Sequence, residues 1–120
     1  MNLYVVVRKS LDMSVGKVAA QVAHAVKLVL LAEVESTRAR VRDWRGSERE
    51  AIVVLGADEV QWAKVMAMSP FVQRDRGFTE VEPETSTVAA FAPMDPTERP
   101  KLLARLRLLT SPDQSKVGGG

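Results

Sequence analysis

The chain has 120 residues, 46% hydrophobic and 27% charged, which suits one globular domain with a sizeable core. With no cysteine and one histidine, it excludes a disulfide framework, a thiolate nucleophile, a cysteine metal site and a multi-histidine metal centre. A formal net charge of +2 and a pI near 9.2 are compatible with a nucleic-acid partner but are no evidence for one.

No carboxylate cluster has metal-ligand spacing. The longest apolar run, residues 26–32, is interrupted by Lys27 and is far too short to span a bilayer. The chain begins on a strand-like run rather than a secretory leader, so no membrane association and a cytoplasmic location are expected.

Leu3-Tyr4-Val5-Val6-Val7 is apolar on both faces and reads as a central buried strand. Residues 8–15 form a connection in which Ser14 can cap a helix. That helix is expected from residue 15 to 35 or beyond. Lys17, Gln21 and His24 fall within about 60° of each other on it. Val18, Val22, Ala25, Val26 and Val29 lie opposite, and Leu28 and Leu31 continue the polar face as apolar residues. The helix is therefore expected to be buried on most of its circumference, with a narrow polar stripe near its start. A lysine in the first turn meets the positive end of the helix dipole, at a cost of up to about 1 kcal/mol. Such a start suits an anion. The alternative is that Lys17 snorkels to water and His24 is hydrogen-bonded in the core.

Residues 35–50 are highly charged. Arg38, Arg42, Arg45 and Arg49 would form one basic stripe on a continuous helix, but Gly46 is expected to end the helix before Arg49. The stripe is either a solvated face paired with Glu35, Asp43 and Glu48, or a set of phosphate contacts. Ala51-Ile52-Val53-Val54-Leu55 is a second buried strand. Asp58 then caps a short helix to about residue 67, with Val60, Ala63 and Met66 or Ala67 facing inward and Trp62 packing. Pro70 breaks it.

Residues 71–75 form a third strand and 76–85 a polar loop holding Gly77, Thr79 and Pro83. A fourth strand covers 87–92 and ends at Pro93. Asp95-Pro96-Thr97-Glu98 combines an N-cap, a proline at the first helical position and an acid two positions later. The last helix is expected to reach about residue 106, distorted by Pro100. One domain over residues 1–110 and a disordered tail over 111–120 follow.

The order β-α-β-α-β-β-α implies parallel pairing of the first three strands, an antiparallel fourth, and helices on both faces. Ligands in such sheets bind at the carboxyl ends of the parallel strands. Lys17 follows the end of strand one, Asp75 ends strand three, Thr79 lies in the next loop, and Thr87 begins the returning strand. The four can meet at one end of the sheet, although each alone is explained by turn chemistry or strand propensity.

Two motifs carry a resemblance. One is Gly16-Lys17 followed by Ala19-Ala20-Gln21 and His24-Ala25, preceded by the valine run and Met13. The other is Asp75-x-Gly77-x-Thr79 followed by Thr87-Val88 and a strand ending in Pro93. Over residues 3–109 the chain resembles type II peptidyl-tRNA hydrolases, the archaeal and eukaryotic type. The resemblance implies a three-layer α/β/α sandwich with a mixed four-stranded sheet, often dimeric. It implies hydrolysis of the ester joining a peptide to tRNA, recycling tRNA from aborted translation, with no metal or organic cofactor. The implied catalytic residues are Lys17, Asp75, Thr79 and Thr87. Gln21 and His24 stand beside them, and Arg76, Arg38 and Arg42 are candidates for binding the substrate. Asp75 would orient or deprotonate the nucleophile with a threonine in the relay, and Lys17 with the helix start would stabilise the oxyanion or terminal phosphate.

The chain departs from the family pattern at Arg76, where a small residue is usual, and at Phe78, where arginine is usual. It departs also at Glu84-Thr85 in place of Gly-Ser, at Ala92 in place of glycine, and at Ser14-Val15, where many members carry a lysine. Arg76 is placed to restore the charge lost at Phe78. The rival readings are a catalytically inactive relative that binds tRNA or protein, and an esterase or amidase for small acylated substrates.

Overall fold

Consecutive apolar residues in a strand must be covered on both sides, and the first strand is. In the computed structural model, which describes residues 1–68, 70–77 and 80–110, β1 runs Asn2–Arg8. Leu3, Val5 and Val7 enter one apolar cluster, and Tyr4 and Val6 enter another on the opposite face. The first cluster is closed by α1 (Val15–Leu30) and α2 (Glu35–Arg45) through Ala25, Val29, Val41 and Trp44. The second is closed by α3 (Glu59–Ala67) and α4 (Lys101–Arg105) through Trp62, Val65 and Leu103. This is the expected three-layer sandwich.

The sheet has five strands, not four. They are β1, β2 (Ala51–Ala57), β3 (Phe71–Arg74), β4 (Ser86–Ala90) and β5 (Arg107–Leu108), in the order β3-β4-β1-β2-β5. β1 and β2 pair in parallel, while β4 is antiparallel to both β1 and β3. The expected parallel pairing of β3 is therefore corrected: it points the same way as β1, but β4 is inserted between them. The fifth strand is two residues long and too short to show any periodicity. It covers the open edge of β2, helped by the Leu109 N–H donating to the Val54 carbonyl at 3.0 Å.

The expected helix over residues 15–35 is two helices. A 16-residue α1 is about 24 Å long and a seven-residue β1 about 23 Å. The helix ends where the sheet beneath it ends. The chain then bends by 114°, which returns Val41 and Trp44 to the same core. Gly46 caps α2, as its position suggested. No single helix is long and apolar enough to cross a membrane.

Burial differs from expectation on two helices. Leu28 and Leu31 are exposed and α1 buries one side, not most of its circumference. On α3, Val60 and Ala63 face water, while Trp62 and Val65 face the core. Asp58 does cap α3, reciprocally with Gln61. The expected last helix is split, because Pro100 lacks an N–H and ends the 3₁₀ turn Pro96–Glu98 before α4 begins. The fourth strand stops at Ala90 rather than 92. Phe78, Thr79 and the expected tail at 111–120 lie outside the described residues.

Glu84 has φ +65°, a left-handed backbone that disfavours a Cβ. This is where the resembling family carries glycine. Glu84→Gly is expected to raise stability by up to about 1 kcal/mol, read as a higher urea midpoint. No gain would mean that the turn is not strained.

Candidate active site

Three segments bring polar residues to one end of the sheet. After β1 the chain makes a 3₁₀ turn at Lys9–Leu11, and the Ser14 hydroxyl then accepts the Lys17 N–H at 3.3 Å. Lys17 thus lies in the first turn of α1. In β3 the register shifts between Gln73 and Arg74. Such a bulge re-aims the residues that follow it, here Asp75. β4 runs back from Ser86, so Thr87 arrives at the same end.

Lys17 Nζ donates to Asp75 Oδ1 in an ion pair whose side chains are 11% and 3% exposed. The Gly77 N–H donates to Asp75 Oδ2 at 2.9 Å. The Lys17 ammonium holds the Asp75 carboxyl below the usual carboxylate range against the upward push of burial, and the Gly77 N–H adds to this. Asp75 is therefore a carboxylate with little basicity, better at orienting a water than at keeping its proton. The loop is closed behind it: the Asp75 N–H donates to the Thr85 carbonyl at 2.9 Å and the Glu84 N–H donates to the Asp75 carbonyl at 2.8 Å. Gly77 has φ +85°, and a Cβ there would stand 2.5 Å from Pro83 Cγ, so this turn needs glycine.

Thr87 is fully buried, and its hydroxyl donates to Gln21 Oε1, with the Gln73 carbonyl 3.2 Å away as a second acceptor. One hydroxyl proton serves one acceptor at a time. Gln21 is buried on α1, one turn beyond Lys17.

Lys17, Gln21, Gln73 and Asp75 line an open cleft of about 820 Å³. His24 and Arg76 line it too, and both are exposed. His24 is thus not a core histidine, and Lys17 does not snorkel to water; it spends its charge on Asp75. Arg38 and Arg42 do not line the cleft. Arg42 bonds Glu35 at 3.1 Å, while Asp43 and Glu48 form none of the expected ion pairs among the described residues. Thr79 lies outside the described residues.

Several partners carry no motif. Glu80 accepts from the Ser14 N–H at 2.7 Å and from the Ser14 hydroxyl, which hold its carboxyl below the usual range. It thereby clasps the 76–85 loop to the start of α1. Arg8 donates to Glu59 at 2.9 Å and to the Ser86 carbonyl at 3.2 Å, and with Ser10 it brings the Glu59 carboxyl down to about 2. That ties the start of α3 to the backbone just before Thr87. The only sequence signal for either is an acid beside a motif, which is common on any surface. Lys27, Leu28 and Leu31 extend the cleft along α1 at helical spacing from Gln21 and His24.

Residues 1–109 match the family described as "Peptidyl-tRNA hydrolase PTH2". A peptidyl-tRNA hydrolase from Thermoplasma acidophilum is 34% identical over 114 residues, covering 90% of this chain and 97% of its own. One from Thermoplasma volcanium is 36% identical over 98 residues, covering 77% and 84%. One from Methanopyrus kandleri is 35% identical over 111 residues, covering 88% and 95%.

Proposed function

The chain belongs to the PTH2 family of peptidyl-tRNA hydrolases, and we infer that it hydrolyses the ester between peptide and tRNA at the cleft holding Lys17 and Asp75. The observation that carries the site is the buried Lys17–Asp75 pair at the carboxyl ends of the strands. A buried ion pair is weak evidence for stability and better evidence for chemistry.

Asp75 accepts a hydrogen bond from the attacking water. The water oxygen adds to the ester carbonyl carbon. Lys17 has three ammonium protons; Asp75 takes one, and the others have no partner among the described residues. They face the cleft and stabilise the oxyanion. Collapse breaks the bond to the ribose oxygen, which leaves with the proton from the water, relayed through Asp75 and the Thr79 hydroxyl. Thr87, buried and engaged, serves by orienting Gln21 against the cleft. Purified chain incubated with peptidyl-tRNA at low salt is expected to release free tRNA and a peptide carboxylate. A chain that binds tRNA and releases none would be the inactive relative.

Arg76 and Lys27 give the cleft a cationic rim for the tRNA end, and His24 lines the same cleft. Leu31 lines its far end, and α2 begins four residues later with Arg38, Arg42 and Arg45 exposed, which supports reading the three as further tRNA contacts. Neutralising all three is expected to weaken tRNA binding and lower the salt slope by at most about one phosphate per arginine. Arg42 contributes least because Glu35 already pairs with it. An unchanged slope would remove α2 from the interface. The exposed Leu30 and Val34 at the α1–α2 corner are the apolar surface for a homodimer, which sedimentation of the 13.2 kDa chain checks. The setting is the cytoplasm, where translation supplies the substrate.

A further inference from the structure

On the other flank of α1 lies a second cleft of about 460 Å³. Its floor is Val7, Val54 and Leu109, and its wall is Val15, Val18 and Val22. Strands in parallel pairing are ordinarily covered on both faces. Yet Ile52 of β2, beside Leu3 on the α1 face, is 46% exposed, and Val15 is 80% exposed. The first turns of α1 form a ridge between the two clefts. Gly16, Lys17 and Ala20 face the charged one; Val15, Val18 and Ala19 face the apolar one.

Gly16 sits on this ridge. A Cβ there would meet no atom within 4 Å, and its φ is not positive. Neither packing nor backbone geometry calls for glycine, and glycine weakens a helix relative to alanine. The remaining use of a glycine is close approach by another main chain.

A peptidyl-tRNA has two arms of opposite chemistry, one polyanionic and one peptide, that part at the ester. The charged cleft suits the first. We infer that the apolar cleft receives an apolar side chain of the peptide arm, whose main chain crosses α1 at Gly16; this rests on the hydrolase reading above. A helix is about 10–12 Å across and an extended residue spans about 3.3 Å. The side chain is therefore that of the third or fourth residue from the ester. The cleft has the size of a site for one small ligand, about 300–1,000 Å³. A stable dimer needs about 800 Å² from each partner.

The test uses one tRNA bearing either a tetrapeptide with leucine at the third and fourth residues from the ester or tetraglycine. Wild type is expected to favour the leucine substrate at least about fivefold in kcat/KM, through KM. Val15→Asn, at an exposed position that cannot disturb the core, is expected to erase the preference. Gly16→Ala is expected to keep or raise Tm by a few degrees while lowering kcat/KM on both substrates at least about fivefold. Equal hydrolysis of both substrates overturns this inference and leaves the hydrolase reading standing. Hydrolysis of neither overturns both. A Val15→Asn change in sedimentation in place of the preference would assign the cleft to a second copy. A preference seen only in a chain ending at Thr110 would assign it to residues 111–120.

Discussion

Asp75→Asn is expected to fold and to lower kcat for tRNA release at least about 100-fold, roughly 2.7 kcal/mol of transition-state stabilisation. The substitution keeps size and shape but not chemistry. Asp75 accepts from Lys17 on one oxygen and from the Gly77 N–H on the other. An asparagine offers one oxygen and one NH₂, so one of the two donors faces another donor. It also removes the charge that orients the water. Because the group acts in the transition state, the loss falls on kcat, with tRNA affinity little changed. A variant that keeps more than about a tenth of wild-type kcat would take Asp75 out of the reaction.

Lys17→Met is expected to cost about 3–5 kcal/mol of stability at neutral pH, because it leaves a carboxylate buried without its counter-ion. Asp75 is 3% exposed in its side chain, so water replaces little of what is lost. The pH dependence should change sign. In the wild type the folded pKa of Asp75 lies below its unfolded value, near 3.9. That contribution is present above the unfolded pKa and disappears as pH falls through the folded one. Without Lys17, burial is opposed only by the backbone N–H groups of Gly77 and Arg76, and the folded pKa is expected to rise above the unfolded value. The variant is then most stable in acid and loses stability as pH rises through the raised pKa. Moving from pH 7 to about pH 5 should narrow its gap from wild type. Lys17→Met with Asp75→Asn should recover most of the loss at pH 7, since no buried charge remains. Urea midpoints of the four proteins at both pH values make the test. A single variant within about 1 kcal/mol of wild type, with wild-type pH dependence, would show that water screens the pair.

These two expectations begin from residues that sequence alone brings forward. Lys17 is conspicuous as a cation at a helix start, and Asp75 as an acid ending a strand before a turn glycine. The face shared by Lys17, Gln21 and His24 follows from helical spacing, and all three line one cleft. The partners that stabilise the site were not legible. Glu80 clasping Ser14, Arg8 reaching the Ser86 carbonyl, and Thr87 bonded to Gln21 join residues whose types are common on any surface. The burial errors have one physical source. Val60, Leu28 and Leu31 are apolar, but apolar residues also make up much of a folded surface. Leu28 and Leu31 are spent on the cleft instead of the core.

Sequence by itself determined the four longer strands and the capped starts of α1 and α3, since periods of 2 and 3.6 residues, capping side chains and prolines act within a few positions. It determined that β1 lies at the centre, because residues 3–7 are apolar at every position. Tertiary structure decided the rest. It ended α1 at the edge of the sheet, inserted β4 between β3 and β1, and recruited Arg107–Leu108 as a fifth strand. It also set Lys17 against an aspartate 58 residues away. Those outcomes depend on which edges and faces meet, and that free energy is shared among segments far apart in the chain, where no local pattern records it.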